Sequence, residues 1–415
     1  SEGGLAKVLH QEMEYDDFQR QKLLPNKSSQ LGPGMAWGDV NGNGYDDVFI
    51  GGSAGFMGRL FLNMGNGQFK NALQFCFTYD VRSEDMGSLF FDFDRDGDLD
   101  LYVVSGGVEC KPGDVLLRDR LYINDGTGNF QKGSLDLLPD IRSSGSVVAA
   151  ADIDGDSHLE LFVGGRIVPG KYPESPRSYV FRNTGSKYED ATDVFAPKIK
   201  QSGMVTSALF TDVDGDHQPD LLVTYEWGPV RYFHNEGGQL IDRTSHVGLS
   251  DRQGWYNSIS GGDMDNDGDT DYLVGNFGLN TKYQASTTKP EIMYYGDFEG
   301  NGKKRIIEAK YENGICLPHR GLGCSSGAMP MVKQKLPTYH QFALTSLQDI
   351  YTEDRINDAE LFEINNLASG ILINKTDKKG KVRLEFQPLP RIAQASPIFG
   401  SAVCDINGDG NLDLY

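Results

Sequence analysis

The stretch Asp92-Phe-Asp94-Arg-Asp96-Gly97-Asp98-Leu99-Asp100 runs directly into Leu101-Tyr-Val-Val-Ser-Gly-Gly107. Acidic side chains stand at positions 1, 3, 5 and 9 of a nine-residue frame, and an apolar, β-branched run follows. This pattern reads as a tight Asx-rich turn that feeds a strand. The frame returns six times. Asp39, Asn41, Asn43 and Asp47 precede VFIGG. Asp152, Asp154, Asp156 and Glu160 precede LFVGG, and Asp212, Asp214, Asp216 and Asp220 precede LLVTY. Asp263, Asp265, Asp267 and Asp271 precede YLVGN, and Asp405, Asn407, Asp409 and Asp413 precede Leu414 and Tyr415. One copy, Asp297 to Arg305, is degenerate: Arg305 replaces the last carboxylate, beside Lys303 and Lys304.

From one leading Asp to the next the chain advances 53, 60, 60, 51, 34 and 108 residues. A repeat of this length, with several strands in each copy, is the signature of propeller blades. Within a unit four strands can be read. In the first they are GMAWGDV, DDVFIGG, RLFLNMGNG and GQFKNAL, with a recurring N-x-G turn at Asn63 and again at Asn183. The expected fold is therefore all-β: a seven-bladed β-propeller of four-stranded blades forming a single domain over 1–415. Residues 1–30, containing KVLHQEMEYDDF, are expected to supply a strand that closes the last blade. The last unit still lacks a strand, which suggests a chain continuing past 415. Residues 311–352 are expected to form a loop-helix insertion in the sixth blade. Its first part, 311–335, reads as loop. Its second, 338–352, reads as a helix with Phe342, Leu344, Leu347, Ile350 and Tyr351 towards one face.

The chemistry of the loops points to calcium. This hard cation takes six to eight oxygens at about 2.3–2.6 Å. Positions 1, 3 and 5 offer side-chain oxygens, position 7 a carbonyl, and position 9 a carboxylate able to bind through both oxygens. Glycine at position 4 or 6 permits the turn that brings them together. About five to six ions are expected, with the degenerate copy excluded. Six divalent ions would bring the formal charge of −20 to roughly −8.

Composition narrows the function. Acidic residues outnumber basic ones 59 to 39, which argues against a non-specific nucleic-acid binder. No stretch of about 18 apolar residues occurs, so no transmembrane helix is expected. The N-terminal residues lack the features of a signal peptide. Five cysteines are too few for a disulfide framework. Cys316–Cys324 and Cys76–Cys110 are conceivable bridges, and Cys404 reads as a small buried hydrophobe on an inner strand. Cys316, His319 and Cys324 lack an evident fourth zinc ligand.

The segment Phe399-Gly-Ser-Ala-Val-Cys-Asp405-Ile-Asn-Gly-Asp-Gly-Asn-Leu-Asp413-Leu resembles the FG-GAP/VCBS repeat family, which includes the integrin α-subunit propeller. GMAWGDVNGNGYDDVFIGG is also similar to repeats of bacterial ASPIC/UnbV-type and cartilage-acidic-protein-like secreted proteins. The resemblance spans about 35–415. It implies a seven-bladed propeller with calcium between the first two strands of most blades. It also implies an extracellular, cell-surface or periplasmic location and a role in adhesion or recognition.

Signals for catalysis are weaker. Gly323-Cys-Ser325-Ser-Gly327 matches a nucleophile-elbow pattern without the flanking strand and helix that it needs. Gly165 to Lys171 nearly matches a phosphate loop, but Tyr172 stands at the hydroxyl position. His319, Arg320, Tyr339 and His340 are candidates for a lyase-like or glycan site. His158 and His217 read as solvated. Asn26 and Asn374 begin glycosylation sequons. The leading expectation is a non-enzymatic, calcium-stabilised propeller that recognises an extracellular protein or glycan, calcium being structural. A polysaccharide lyase or hydrolase, and a structural component of a surface assembly, are the alternatives.

Overall fold

The computed structural model describes residues 4–6, 8–376 and 380–415. Turns break the chain into short strands, only 12% of it is helical, and the strands gather into several four-stranded antiparallel sheets. The first three sheets share one plan. Met35–Gly38, Asp47–Ile50, Arg59–Asn63 and Phe69–Ala72 pair in sequence order. Glu84–Phe91, Asp100–Gly106, Arg120–Asn124 and Phe130–Lys132 repeat it, as do Gly145–Ala151, Glu160–Gly165, Tyr179–Asn183 and Tyr188–Asp190. The fourth sheet orders Met204–Thr211, Asp220–Gly228, Arg231–Asn235 and Leu240–Asp242 alike. In each, the acidic nonapeptide links the first strand to the second, as its position before the apolar run requires.

The chain forms two compact units: Ser1–Tyr15, Ser28–Val223 and Tyr232–Arg243, and Asp16–Lys27, Thr224–Arg231 and Thr244–Tyr415. In the first unit the sheets stack face to face. Side chains alternate along a strand, so a strand buried on both faces serves two cores. Asp100–Gly106 does this. Leu101 and Val103 join Phe49, Leu60 and Phe90 in one core, while Tyr102 and Val104 join Val148, Leu161 and Phe181 in the next. Every residue of that strand is buried.

The expected N-terminal closing strand is not seen. Residues 1–3 and Lys7 lie outside the described residues, and 8–16 form no strand. That segment instead holds the first sheet through Arg59 Nη2 to Leu9 O (2.8 Å) and Ser53 Oγ to Gln11 O (2.6 Å).

The second unit departs from the simple repeat. Its fifth sheet pairs Ser258–Gly262 and Asp271–Gly275 with Gly370–Asn374 and Leu384–Pro388. Another four-stranded sheet and five short helices lie in the chain between the second and third of these strands. That inserted sheet is ordered Ile315–Pro318, Arg305–Glu312, Glu291–Gly296, Glu360–Ile364. Its last strand joins the free edge of its first strand, unlike the sequential order elsewhere. The irregular intervals of 34 and 108 have this cause: the degenerate copy belongs to a sheet inserted within the fifth, not to a further unit in line.

The segment expected as loop contains strand Ile315–Pro318 and helices Leu322–Ala328 and Met331–Lys335. The single helix expected over 338–352 is two, Tyr339–Leu344 and Leu347–Tyr351, separated at Thr345. Ser346 caps the second by accepting Asp349 N–H, which ends the first helix before it. Phe342, Leu347, Ile350 and Tyr351 enter the core against Ile307 and Ile292, whereas Leu344 is exposed. The last nonapeptide joins a two-stranded hairpin, Val403–Cys404 with Asp413–Leu414.

Candidate metal centres in the acidic loops

All seven loops fold alike. Positions 4 and 6 adopt left-handed backbone in each, including copies where the residue is not glycine. Arg95, Ser157, His217 and Asn266 have φ of 65°, 69°, 68° and 57°. This twist turns amides inward, and the position-1 carboxylate accepts them. Asp92 accepts Arg95 N–H (2.7 Å) and Gly97 N–H (3.1 Å). Asp212 accepts from Gly215 (2.8 Å) and His217 (2.9 Å), and degenerate Asp297 does the same with Gly300 and Gly302 (both 2.8 Å). The position-5 side chain accepts the amide of position 7, as in Asp96 with Asp98 (3.0 Å).

Position 9 behaves differently from an exposed ligand. Asp100 is buried; Oδ2 accepts Phe93 N–H (3.1 Å) and Oδ1 accepts Asn124 N–H (2.9 Å) at the end of the third strand. Asp47 bonds Val40 N–H (3.1 Å) and Asn63 N–H (2.6 Å), and Asp271 bonds Met264 N–H (3.1 Å) and Asn374 N–H (2.8 Å). Asp220 adds Tyr232 OH (3.0 Å) to the same pair from Val213 and Asn235. These carboxylates tie the acidic loop to the third strand of their own sheet. The oxygens of Asp100 and Asp271 each take one of these bonds and keep a second lone pair for a cation, whereas Asp220 Oδ2 already takes two and Asp47 Oδ2 takes Asn41 Nδ2 as well (3.1 Å). Burial pushes Asp100 and Asp220 up to about 6 and Glu160 up to about 7, against the stabilising amides.

Glu160 is the exception among them. Its Oε2 accepts Ile153 N–H (2.9 Å), but Oε1 is buried without a hydrogen-bond partner. The nearby Asn183 N–H lowers its pKa, against the burial that raises it. The extra methylene of Glu moves this oxygen off the amide that Asp reaches elsewhere. A buried orphan oxygen is costly unless something occupies it.

Asparagine at the end of the third strand does more than mark a turn. Asn124 Nδ2 donates to Val40 O (2.8 Å), inside the acidic loop of the preceding sheet, and to Leu99 O (3.1 Å). Asn183 reaches Phe93 O (3.0 Å) and Asn235 reaches Ile153 O (3.0 Å) in the same way. Each strap joins neighbouring sheets. Its sequence signal was the recurrence of Asn before x-Gly.

Among the described residues, carboxylate oxygens converge within 4.8 Å of one another in four loops: Asp92, Asp94, Asp96; Asp152, Asp154, Glu160; Asp212, Asp214, Asp216; and Asp263, Asp265, Asp271. Asp214 and Asp220 also converge with His234. The loops at Asp39 and Asp405 have the same backbone, with asparagines among their donors. Basic side chains reach some loops. Arg182 Nη2 lies 3.1 Å from Asp154 and 3.5 Å from Asp156, and Lys375 Nζ lies 2.7 Å from Asp265 and 3.4 Å from Asp267. Lys375 holds Asp265 below the usual carboxylate range. Among the described residues no basic side chain pairs with Asp92, Asp94 or Asp96. Asp94 is accordingly raised, by burial first and then by Asp96 and Asp92. The oxygen-only donor sets fit a hard divalent cation.

The other candidates do not assemble. His319 and Arg320 are committed to Glu291 and Glu308, within a cluster that includes Tyr283. Tyr339 is exposed and lies with His340 on the helix Tyr339–Leu344. Ser325 is buried in a helix and donates to Arg320 O (3.2 Å), so it is no nucleophile elbow. All five cysteines are free; Cys76 and Cys316 are buried, whereas Cys404 is exposed on the terminal hairpin. Asn374 is 1% exposed, and its Oδ1 accepts Thr376 Oγ1 (2.7 Å), so this sequon serves a turn. His217 is 96% exposed, as expected, with its Nδ1 3.6 Å from Asp212, and His158 lies 3.2 Å from Asp156.

Residues 39–103, 113–163 and 212–274 match the FG-GAP-like repeat family. No curated protein matches the chain. Among solved structures, the V. cholerae biofilm matrix protein Bap1 is similar at 12% identity, covering 95% of this chain and 78% of that one, with a TM-score of 0.33. A mutant Aleuria aurantia lectin in complex with Fucalpha1-6GlcNAc is similar at 8% identity, covering 72% and 82%, with a TM-score of 0.36. Likenesses this weak bear on neither function nor blade number. No helix among the described residues is long and apolar enough to cross a membrane.

Proposed function

We propose that this chain, which carries three FG-GAP-like repeats, is a calcium-stabilised β-propeller that recognises a protein or glycan outside the cytoplasm. The supporting observation is the loop at Asp92, Asp94 and Asp96. Among the described residues, three carboxylates converge there with no basic side chain to balance them. A bound calcium ion would supply that balance. Asp92, Asp94 and Asp96 would hold it, with Asp100 at position 9 of the same loop as a further candidate ligand. Comparable sets are Asp152, Asp154, Asp156 and Glu160, and Asp263, Asp265, Asp267 and Asp271. Asp212, Asp214, Asp216 and Asp220 form another. The sets at Asp39, Asn41, Asn43, Asp47 and at Asp405, Asn407, Asp409, Asp413 carry fewer charges and should bind more weakly.

Calcium acts here as a structural staple. It fixes the turn between first and second strands, whose last carboxylate already grips the third. An extracytoplasmic setting suits sites of this kind, since extracellular calcium modules work at about 10⁻⁴–10⁻³ M. The acidic surface and the stacked sheets favour recognition of a protein or glycan over nucleic acid.

Thermal unfolding of the full chain in millimolar calcium and in EDTA tests the proposal. Calcium should raise the melting temperature, because a ligand at 100 times its Kd stabilises by about 2.7 kcal/mol per site. D94N/D96N should lose part of that gain while folding normally in EDTA. Identical melts with and without calcium would sink the reading.

A further inference from the structure

The first unit contains a cavity of about 310 Å³ away from the acidic loops. It lies between the turn Phe75–Asp80, the turn Val115–Leu117 and the third and fourth strands of the second sheet. The chain has 59 acidic and 39 basic residues, yet this cavity reverses the ratio. Arg82, Arg118, Arg120 and Lys132 line it, against Asp80 and Asp119.

Most of these charges are already placed. Arg120 is buried 2.7 Å from Asp85, Lys132 pairs with Asp80, and Arg118 donates to Leu135 O and Leu138 O. Asp119 accepts Tyr102 OH and Ser105 N–H, both at 2.8 Å. Arg118 Nε also lies 3.7 Å from Asp140, so three of the four cations have a carboxylate partner. Arg82 is the remaining one, at the rim: it is exposed and has no ion pair or hydrogen bond among the described residues. Tyr79 stands beside it, 79% exposed, and offers an aromatic face.

A flat aromatic face and one unspent guanidinium at the rim of a cavity match a sugar ring bearing a carboxylate. The ring's C–H face packs on Tyr79 and its carboxylate pairs with Arg82. We propose that this cavity binds an acidic saccharide of the uronate class. The inference rests on the recognition reading above and names its ligand.

Calorimetry on the full chain in millimolar calcium tests it, with a glucuronate-containing disaccharide, its neutral glucose counterpart and a short Glu-rich peptide as titrants. The uronate should bind about tenfold or more tighter than the neutral sugar, as a charge-assisted pair predicts. R82A should erase that difference, and Y79A should weaken both sugars. Both side chains are exposed, so the variants should keep the parent melt. Four results would overturn the proposal: equal binding of both sugars, undiminished binding by R82A and Y79A, preference for the peptide, or no sugar binding. Melts in calcium and EDTA on the same samples keep the two readings apart. A normal calcium response with no uronate binding removes this inference alone.

Discussion

Asn124 and Asn63 occupy equivalent places at the ends of third strands, yet do different amounts of work. Asn124 is buried, and its amide satisfies carbonyls of its own loop and of the preceding sheet. Asn63 is half-buried, and its Nδ2 meets only Asp46 O at 3.1 Å, in its own loop. N124A strands buried acceptors, at about 1–3 kcal/mol for each unsatisfied group, whereas water can replace the lost partner in N63A. Urea unfolding should show a loss of about 2 kcal/mol or more for N124A and under about 1 kcal/mol for N63A. Similar losses would mean that the strap between sheets adds nothing. The nonapeptide was legible in sequence because its side chains bond to amides a few residues away. The strap was not, since its acceptor lies 84 residues off.

The inserted sheet and helices carry their own core, from Ile292 and Ile307 through Leu322, Phe342 and Ile350. The fifth sheet does not need them for its register. Val274 pairs with Gly370 and Tyr272 with Leu372, and Gly278 N–H donates to Leu367 O at 2.8 Å, so the ends of the insertion already meet. Replacing residues 280–364 by a short Gly-Asn turn should give a soluble protein whose circular dichroism keeps its strand signal and loses its helical one. Aggregation or loss of the strand signal would show the insertion to be part of the fold. Tyr283 packs on Trp255 at 5.8 Å, so some loss of melting temperature is expected. Sequence periodicity found the helical residues here. It could not find that strands far apart in sequence pair across them, because pairing partners leave no local pattern.

Across the whole molecule, charge and burial pull against each other. Without metal, burial raises Asp100 and Asp220 to about 6, Glu160 to about 7 and Glu84 to about 8. A carboxylate raised in the folded state binds its proton more tightly there than in the unfolded chain. Its contribution is therefore greatest at low pH and is lost as pH climbs through the folded value. In EDTA, the melting temperature should fall between about pH 4.5 and pH 8. Glu84 lies outside the acidic loops; its Oε2 accepts Ala54 N–H at 2.7 Å and its Oε1 is buried without a partner. E84Q removes its titration, so the variant should out-melt the parent at pH 9 and converge with it near pH 4.5. A parent whose stability rises steadily from pH 5 to 8 in EDTA would contradict this balance.

Sequence alone determined the repeated turn, the strands on either side of it and the all-β class. Those features rest on local physics: left-handed positions, Asx bonds spanning at most five residues, and side chains that alternate along a strand. Tertiary structure decided the roles within that frame. It buried the ninth residue of each main loop and made it a tie as well as a candidate ligand. It also placed Arg182, His234 and Lys375 over some loops and left the one at Asp92 unbalanced, and it threaded a second sheet through the fifth. Those outcomes depend on which distant strands meet, and no local pattern in the chain records that.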